Sequence, residues 1–187
     1  MNALTLVTPP AMDPVSLAEA KAMLKFDDSL TLDDALIVAF LKTAVAAAEN
    51  FLNRRLITQT WDLKRDAFPC GTIYLPYGQL QSVTSVSYLD TAGANQTWAT
   101  NRYRVDADSE PGRITPAYGE IYPCTHPVTH AVTIRFVCGY GDASGDVPEE
   151  IRLAILLATR IWYDQRSDGS LPKSAEMLLW PHRLLEF

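Results

Sequence analysis

Cysteine is scarce in this chain. Cys70, Cys124 and Cys138 are odd in number and irregular in spacing, which excludes a disulfide framework of the kind that holds small secreted domains. Long apolar runs are missing as well. No stretch reaches the roughly 18 apolar residues of a membrane span. Residues 1–10 have neither the basic start nor the apolar run of a signal peptide. The expected compartment during synthesis is the cytoplasm, with no membrane partner. Positive charge is in deficit: 16 Lys and Arg stand against 22 Asp and Glu, a formal charge of −6. That sign speaks against a protein that wraps DNA, because phosphate neutralisation supplies most non-specific affinity.

Catalytic signatures are also lacking. There is no G-x-S-x-G, no P-loop lysine and no H-E-x-x-H. His126 and His130 flank Pro127 and, with Cys124 and Cys138, could supply zinc-type ligands. Their spacing matches no usual structural zinc pattern. A small hydrolase would need a cysteine and a histidine to converge with an oxyanion site, and nothing local supplies one. No metal, cofactor or catalytic residue is assigned. Gly139-Tyr140-Gly141 reads as a turn that ends a strand, since Asp142 and Asp146 would repel a phosphate. Arg54-Arg55 reads as a pair of dipole partners at a helix end rather than as a DNA contact.

What is present is an ordinary soluble-domain composition, 48% apolar and 20% charged, enough to bury a real core. The texture changes twice. Residues 1–56 read as the N-terminal helical part, 57–140 as a β lobe and 141–187 as a second helical part with a tail. Ser16-Leu17-Ala18-Glu19 is a capping box opening a first helix. Thr31 is the expected cap of a second, with Asp33 and Asp34 in its first turn. Ile37, Phe40, Leu41, Ala44, Ala48, Phe51 and Leu52 form its apolar stripe. Short β-branched and aromatic runs at 60–63, 72–75, 83–89, 103–105 and 131–137 predict about five antiparallel strands, with turns at Asp90–Gly93 and Pro111-Gly112. Trp61 and Trp162 take core positions. The third helix starts at Pro148 and runs to about Asp168-Gly169-Ser170, with Ile151, Ile155, Ala158 and Trp162 on one face. The fold class is α+β: a helical core of about three main helices, with a small antiparallel β lobe inserted between the second and third.

Two features exceed what one core needs. Leu153, Leu156 and Leu157 widen the apolar face of the third helix, and Ala44, Ala47 and Ala48 allow close approach on the second. Both are expected to pack against a neighbouring subunit. The C-terminal segment is apolar where a terminus is usually frayed and polar. It holds Met177, Leu178, Leu179, Trp180, Pro181, Arg183, Leu184, Leu185 and Phe187. Folding back onto its own core and docking on another chain both fit it. The composition favours docking, with the segment mobile or loosely folded back until its partner is met.

An ordered set of motifs adds a resemblance. Val7-Thr8-Pro9-Pro10, Pro14-Val15-Ser16-Leu17-Ala18-Glu19-Ala20-Lys21, Asp33-Asp34, Gln59-Thr60-Trp61, Phe68-Pro69 and Ile73-Tyr74-Leu75-Pro76 come first. Val83 to Tyr88, Gly139-Tyr140-Gly141, Val147 to Arg152 and Leu178 to Arg183 follow. In this order they resemble the head–tail connector (adaptor) family of tailed phages, also found in prophages and gene transfer agents. The resemblance covers nearly the whole chain; His182 departs from it, a tyrosine being commoner there. It implies a virion protein, built in the host cytoplasm, that forms a ring of about a dozen copies beneath the portal. The ring would extend the DNA channel, an acidic lumen letting DNA slide without specific binding. The resemblance implies that Leu178, Leu179, Trp180, Pro181, Arg183, Leu184 and Phe187 grip the portal protein. The tail side would meet a tail-completion or stopper protein. The main alternative is another virion assembly protein, such as a tail-completion factor.

Overall fold

The computed structural model describes residues 2–27, 31–165 and 170–185. The chain forms two compact units, residues 11–57 with 140–187 and residues 1–10 with 58–139. The class is α+β, with helices in the first unit and antiparallel sheets in the second.

In the helical unit, α1 spans Leu17–Leu24 and opens on the expected capping box: Glu19 N donates to Ser16 Oγ at 3.2 Å, and Ser16 N donates to Glu19 Oε2 at 2.7 Å. Helix α2 spans Asp34–Leu52. Its cap is Asp33, not Thr31, and the Asp33 carboxylate accepts from Tyr163 Oη at 2.6 Å. A partner 130 residues away thus occupies the side chain that local rules would turn onto the helix end. Helix α3 spans Glu149–Gln165, and α4 spans Lys173–Leu179. The expected end of α3 near Asp168-Gly169 lies outside the described residues. Leu41, Ala44, Ala48 and Leu52 of α2 meet Ile151, Ala154, Ile155, Ala158 and Trp162 of α3 in one core, closed by Ala175 and Leu179 of α4. Arg152 ties α3 to α1 by bonding Glu19 and the Pro14 carbonyl.

Helix α2 is 19 residues long with a mean hydropathy of 1.6 over its best 18-residue window, enough by length and composition to cross a membrane. Its buried residues, Ile37, Leu41, Ala44, Ala48 and Leu52, recur at helical spacing and belong to the helical unit. Those five residues give the helix a core face and are the 28% of the apolar window that is buried.

In the sheet unit, the strands are β1 (Asn2–Thr8), β2 (Gln59–Arg65), β3 (Ile73–Tyr74), β4 (Leu80–Leu89), β5 (Asn95–Thr97), β6 (Tyr103–Asp106), β7 (Arg113–Pro116) and β8 (Val132–Cys138). One sheet has the order β1-β2-β8-β4-β5 and the other β3-β7-β6. Strand β8 alternates as expected: Val132, Ile134 and Phe136 point inward, with Cys138. On its other face Arg135 donates twice to Asp62, its register partner on β2, at 2.8 and 2.9 Å. Asp90 shapes the β4–β5 turn by accepting from Ala92 N and Ala94 N. The buried tryptophan of this unit is Trp98; Trp61 is half-buried against Tyr77.

The first ten residues depart from the expected helical part. They carry β1, which pairs with β2 from Asn2–Arg65 to Thr8–Thr60. Removing the β lobe at 57–140 alone would leave β1 without its partner, and the junctions between the two units are 10/11, 57/58 and 139/140. Within the helical unit, Tyr140 N donates to Leu56 O at 3.0 Å and Ile57 bridges Gly141, so the two chain stretches on either side of the sheet segment lie side by side. Residues 11–57 joined to 140–187 by a short Gly-Ser linker are expected to keep their helices and melt in one urea transition, read by far-UV circular dichroism. Aggregation or a lost helix signal would show that the helical unit needs the sheet segment.

Candidate docking surface at the C-terminal segment

The C-terminal segment is built from α4, a 3₁₀ turn at Trp180–His182 and an extended stretch to Leu185. Pro172 begins α4, and Ala175, Leu178 and Leu179 repeat at helical spacing. Pro181 then ends the α-helix, since it has no N–H to continue the ladder. The segment folds back along the end of α2. Leu184 N donates to Leu52 O at 2.8 Å, Asn53 Nδ2 donates to Leu184 O at 3.2 Å, and Arg54 Nε donates to His182 O at 2.5 Å. Asn53 can do this because it closes α2 in the left-handed conformation, φ 54°, which asparagine tolerates. Arg54 is buried by this contact, so the helix-end arginine holds the chain's own tail.

The residues expected to dock therefore divide. Ala175 and Leu179 are wholly buried and Leu184 is 8% exposed, so these close the core. The segment is folded back, and more firmly than expected: Ala175, Leu179 and Leu184 find their cover within the helical unit. Leu178 is half-buried against the same core. Trp180 is 61% exposed, Met177 77% and Leu185 58%, and Pro181 is exposed beside them. Arg183 lies over the Phe51 ring at 5.1 Å and the Trp180 ring at 5.5 Å, with Phe51 and Trp180 themselves 6.2 Å apart. Phe187 lies outside the described residues. The surface left open is one apolar side of α4 and its turn, with a cation stacked at its edge.

The expected subunit-packing residues divide in the same way. Ala44 and Ala48 are enclosed in the core, where their size lets α2 and α3 approach, so they have no surface for a neighbour. Ala47 and Leu156 are half-buried against that core, Leu157 is half-buried, and Leu153 is 40% exposed. Spacing alone placed all six on apolar faces; which face is inward depends on contacts between helices far apart in sequence.

The four thiol and imidazole groups are spread over the sheet unit. Cys138 is buried at the end of β8, while Cys124 is exposed. His126 Nδ1 lies 3.3 Å from Thr91 O, and His130 N donates to Asp66 Oδ1 at 3.0 Å. The turn at 139–141 is set by close approach: a Cβ on Gly141 would lie 2.2 Å from Asp146 Oδ2 and 2.6 Å from its Cβ.

One carboxylate that sequence reasoning passed over braces the helix end. Glu49 accepts from Leu56 N at 3.0 Å and from Arg55 at 3.1 Å. Burial pushes its carboxyl above the usual range, against the pull of those two donors. A raised acid binds its proton more tightly in the folded state, so this contribution is full at low pH and is lost as pH rises through the raised value. Glu49→Gln cannot titrate. The wild-type melting temperature minus that of Glu49→Gln is expected to grow as pH falls from neutrality toward 4.5, the ordinary glutamate value. Thermal melts across that range check it, and a flat difference would contradict it.

No protein-family model matches the sequence, and no curated protein is significantly similar to it. Solved structures are similar over the whole chain. A chain in the neck of an empty gene transfer agent (GTA) particle, computed with C6 symmetry, has a TM-score of 0.82 and 24% identity, covering 99% of this chain and 97% of that one. A chain of the virion of a native GTA particle has a TM-score of 0.80 and 24% identity, with coverages of 98% and 96%. A chain in the neck of a native GTA particle, computed with C12 symmetry, has a TM-score of 0.80 and 25% identity, with coverages of 99% and 97%. The resemblance carried by the sequence motifs and this likeness in fold agree, and both run the length of the chain.

Proposed function

We propose that this chain is a structural neck protein of a tailed phage or phage-like particle, and within the neck the head–tail adaptor subunit. The observation that carries the reading is the whole-length likeness to neck chains of gene transfer agent particles. A fold shared with a neck component over both units supports a structural rather than a catalytic role. In this role about a dozen copies form a ring under the portal, consistent with the C12 symmetry of one neck that the chain resembles. The formal charge of −6 suits a channel through which DNA moves without being held. The partners are a portal protein on the head side, a tail-completion or stopper protein on the tail side, and further copies of the chain. The mature location is the virion, after assembly in the host cytoplasm.

The test is addition of the purified chain to DNA-filled heads that bear a portal but no neck. Class averages by electron microscopy should then show a ring beneath the portal. A chain that ignores such heads and instead caps isolated tails would be a tail-completion protein, and the adaptor reading would fail.

Contacts between copies fall on the outer side of α3. Leu153→Glu, at a position 40% exposed, is expected to abolish the ring while shifting monomer stability by no more than about 0.5 kcal/mol. The ring should resist moderate salt, because apolar contacts are not screened as exposed ion pairs are. A ring that survives Leu153→Glu, or falls apart in moderate salt, would relocate the subunit contact to charged surface.

A further inference from the structure

Two tripeptides of the sheet unit share one pattern. Phe68-Pro69-Cys70 and Tyr122-Pro123-Cys124 each run aromatic, proline, cysteine. Their rings are stacked, with centroids 5.1 Å apart and planes 16° from parallel. Tyr122 is fixed further by its hydroxyl, which donates to Ile114 O at 3.3 Å. Trp98 closes the cluster at 5.6 Å from Phe68 and 5.3 Å from Tyr122. Both thiols are free and exposed, and both line the same cavity of about 740 Å³.

We propose that Cys70 and Cys124 are a disulfide-forming pair that fastens the two loops across this cavity. The stacked rings hold the loops together two residues from each sulfur, which limits how far the thiols can separate. A bridge demands Cα atoms about 4.4–6.8 Å apart. Residues 66–72 and 117–131 lie outside the strands, so neither cysteine is locked by a sheet ladder, and closing the bridge means bringing their Cα atoms to that spacing. Cys138 is excluded by its burial at the end of β8.

The co-reactant is a small disulfide such as oxidised glutathione. One cysteine thiolate attacks a glutathione sulfur, breaking that S–S bond and releasing one glutathione thiol. The second cysteine thiolate attacks the protein sulfur of this mixed disulfide and expels the second glutathione thiol. One S–S bond forms for the one broken, and the two protons leaving the cysteines end on the two glutathiones.

The full-length protein, reduced and then exposed to oxidised glutathione under native conditions, tests this. Non-reducing digestion and mass spectrometry should give one cross-linked peptide joining Cys70 to Cys124, two hydrogens lighter than its reduced parts. Both thiols should become unreactive to iodoacetamide together, while Cys138 reacts only after denaturation. Cys70→Ser should leave Cys124 as a glutathione adduct, and Cys124→Ser should do the reverse. Independent adducts on both cysteines of the wild-type protein, with no cross-link, would overturn the proposal. So would a bridge formed only between two chains.

Discussion

A chain ending at Pro172 is expected to lose the cooperative melting transition of the helical unit. The truncation removes Ala175 and Leu179, which are wholly buried, and Leu184, which is 8% exposed. It also removes the bonds from this segment to Leu52, Asn53 and Arg54. Emptying one buried leucine site costs about 2–5 kcal/mol, and a whole domain is stable by only about 5–15 kcal/mol. Two leucine sites and an exposed α3 face together approach that total. Far-UV circular dichroism during a urea titration should show reduced helix content and a broad, non-cooperative slope. Leu179→Ala provides the graded form, with an expected loss of about 2–5 kcal/mol in the same titration. If the truncated chain melts like the full one, α4 is an appendage and the packing described above contributes little.

Trp180→Ser is expected to separate docking from folding. The ring is 61% exposed, yet it forms a triangle of contacts with Arg183 and Phe51. Losing those contacts should cost about 0.5–1.5 kcal/mol of stability, the worth of an aromatic pair. A tryptophan at the centre of an interface is worth about 2 kcal/mol or more, which is roughly a 30-fold loss of affinity. Binding to portal-bearing heads should therefore fall by about that factor while the fold persists, with Leu185→Ser as a second exposed anchor. Binding titrations on purified heads, paired with urea melts, read both quantities. Unchanged binding with lowered stability would make Trp180 a packing residue for Phe51 and Arg183.

Much of the fold is legible where the signal is local. The alternation of β8, the Ser16–Glu19 box, the Asp90–Gly93 turn and the stripe of α2 each depend on residues a few positions apart, and each appears where the sequence predicts it. Strand β1 was not legible. Leu4 and Leu6 lie on one side but are 37% and 43% exposed, as befits an edge strand, and the partner strand lies beyond two helices. The C-terminal segment failed for a different reason. Composition identifies it as apolar, but a core helix and a docking peptide have the same composition. What decides between them is the carbonyl of Leu52 and the left-handed turn at Asn53, more than 120 residues upstream. The same holds for Ala44 and Leu153, whose inward and outward assignments come from the packing of α2 on α3.

The chain passes between the two units three times, and this sets an order on its synthesis. Strand β1 leaves the ribosome before both helices but has no partner until β2 has followed, after all of α1 and α2. Those helices in turn wait for α3, and their core is not closed until Leu179 and Leu184 emerge. No nascent chain shorter than 184 residues can complete the helical unit, whereas the sheet unit has all its strands by Cys138. Vectorial synthesis, which ordinarily lets N-terminal structure settle first, here lets the sheet unit, β1 included, mature before the helical unit whose first two helices precede β2. Ribosome-bound intermediates should accordingly expose the apolar side of α2 for most of translation, which makes that helix the natural target of a trigger-type chaperone.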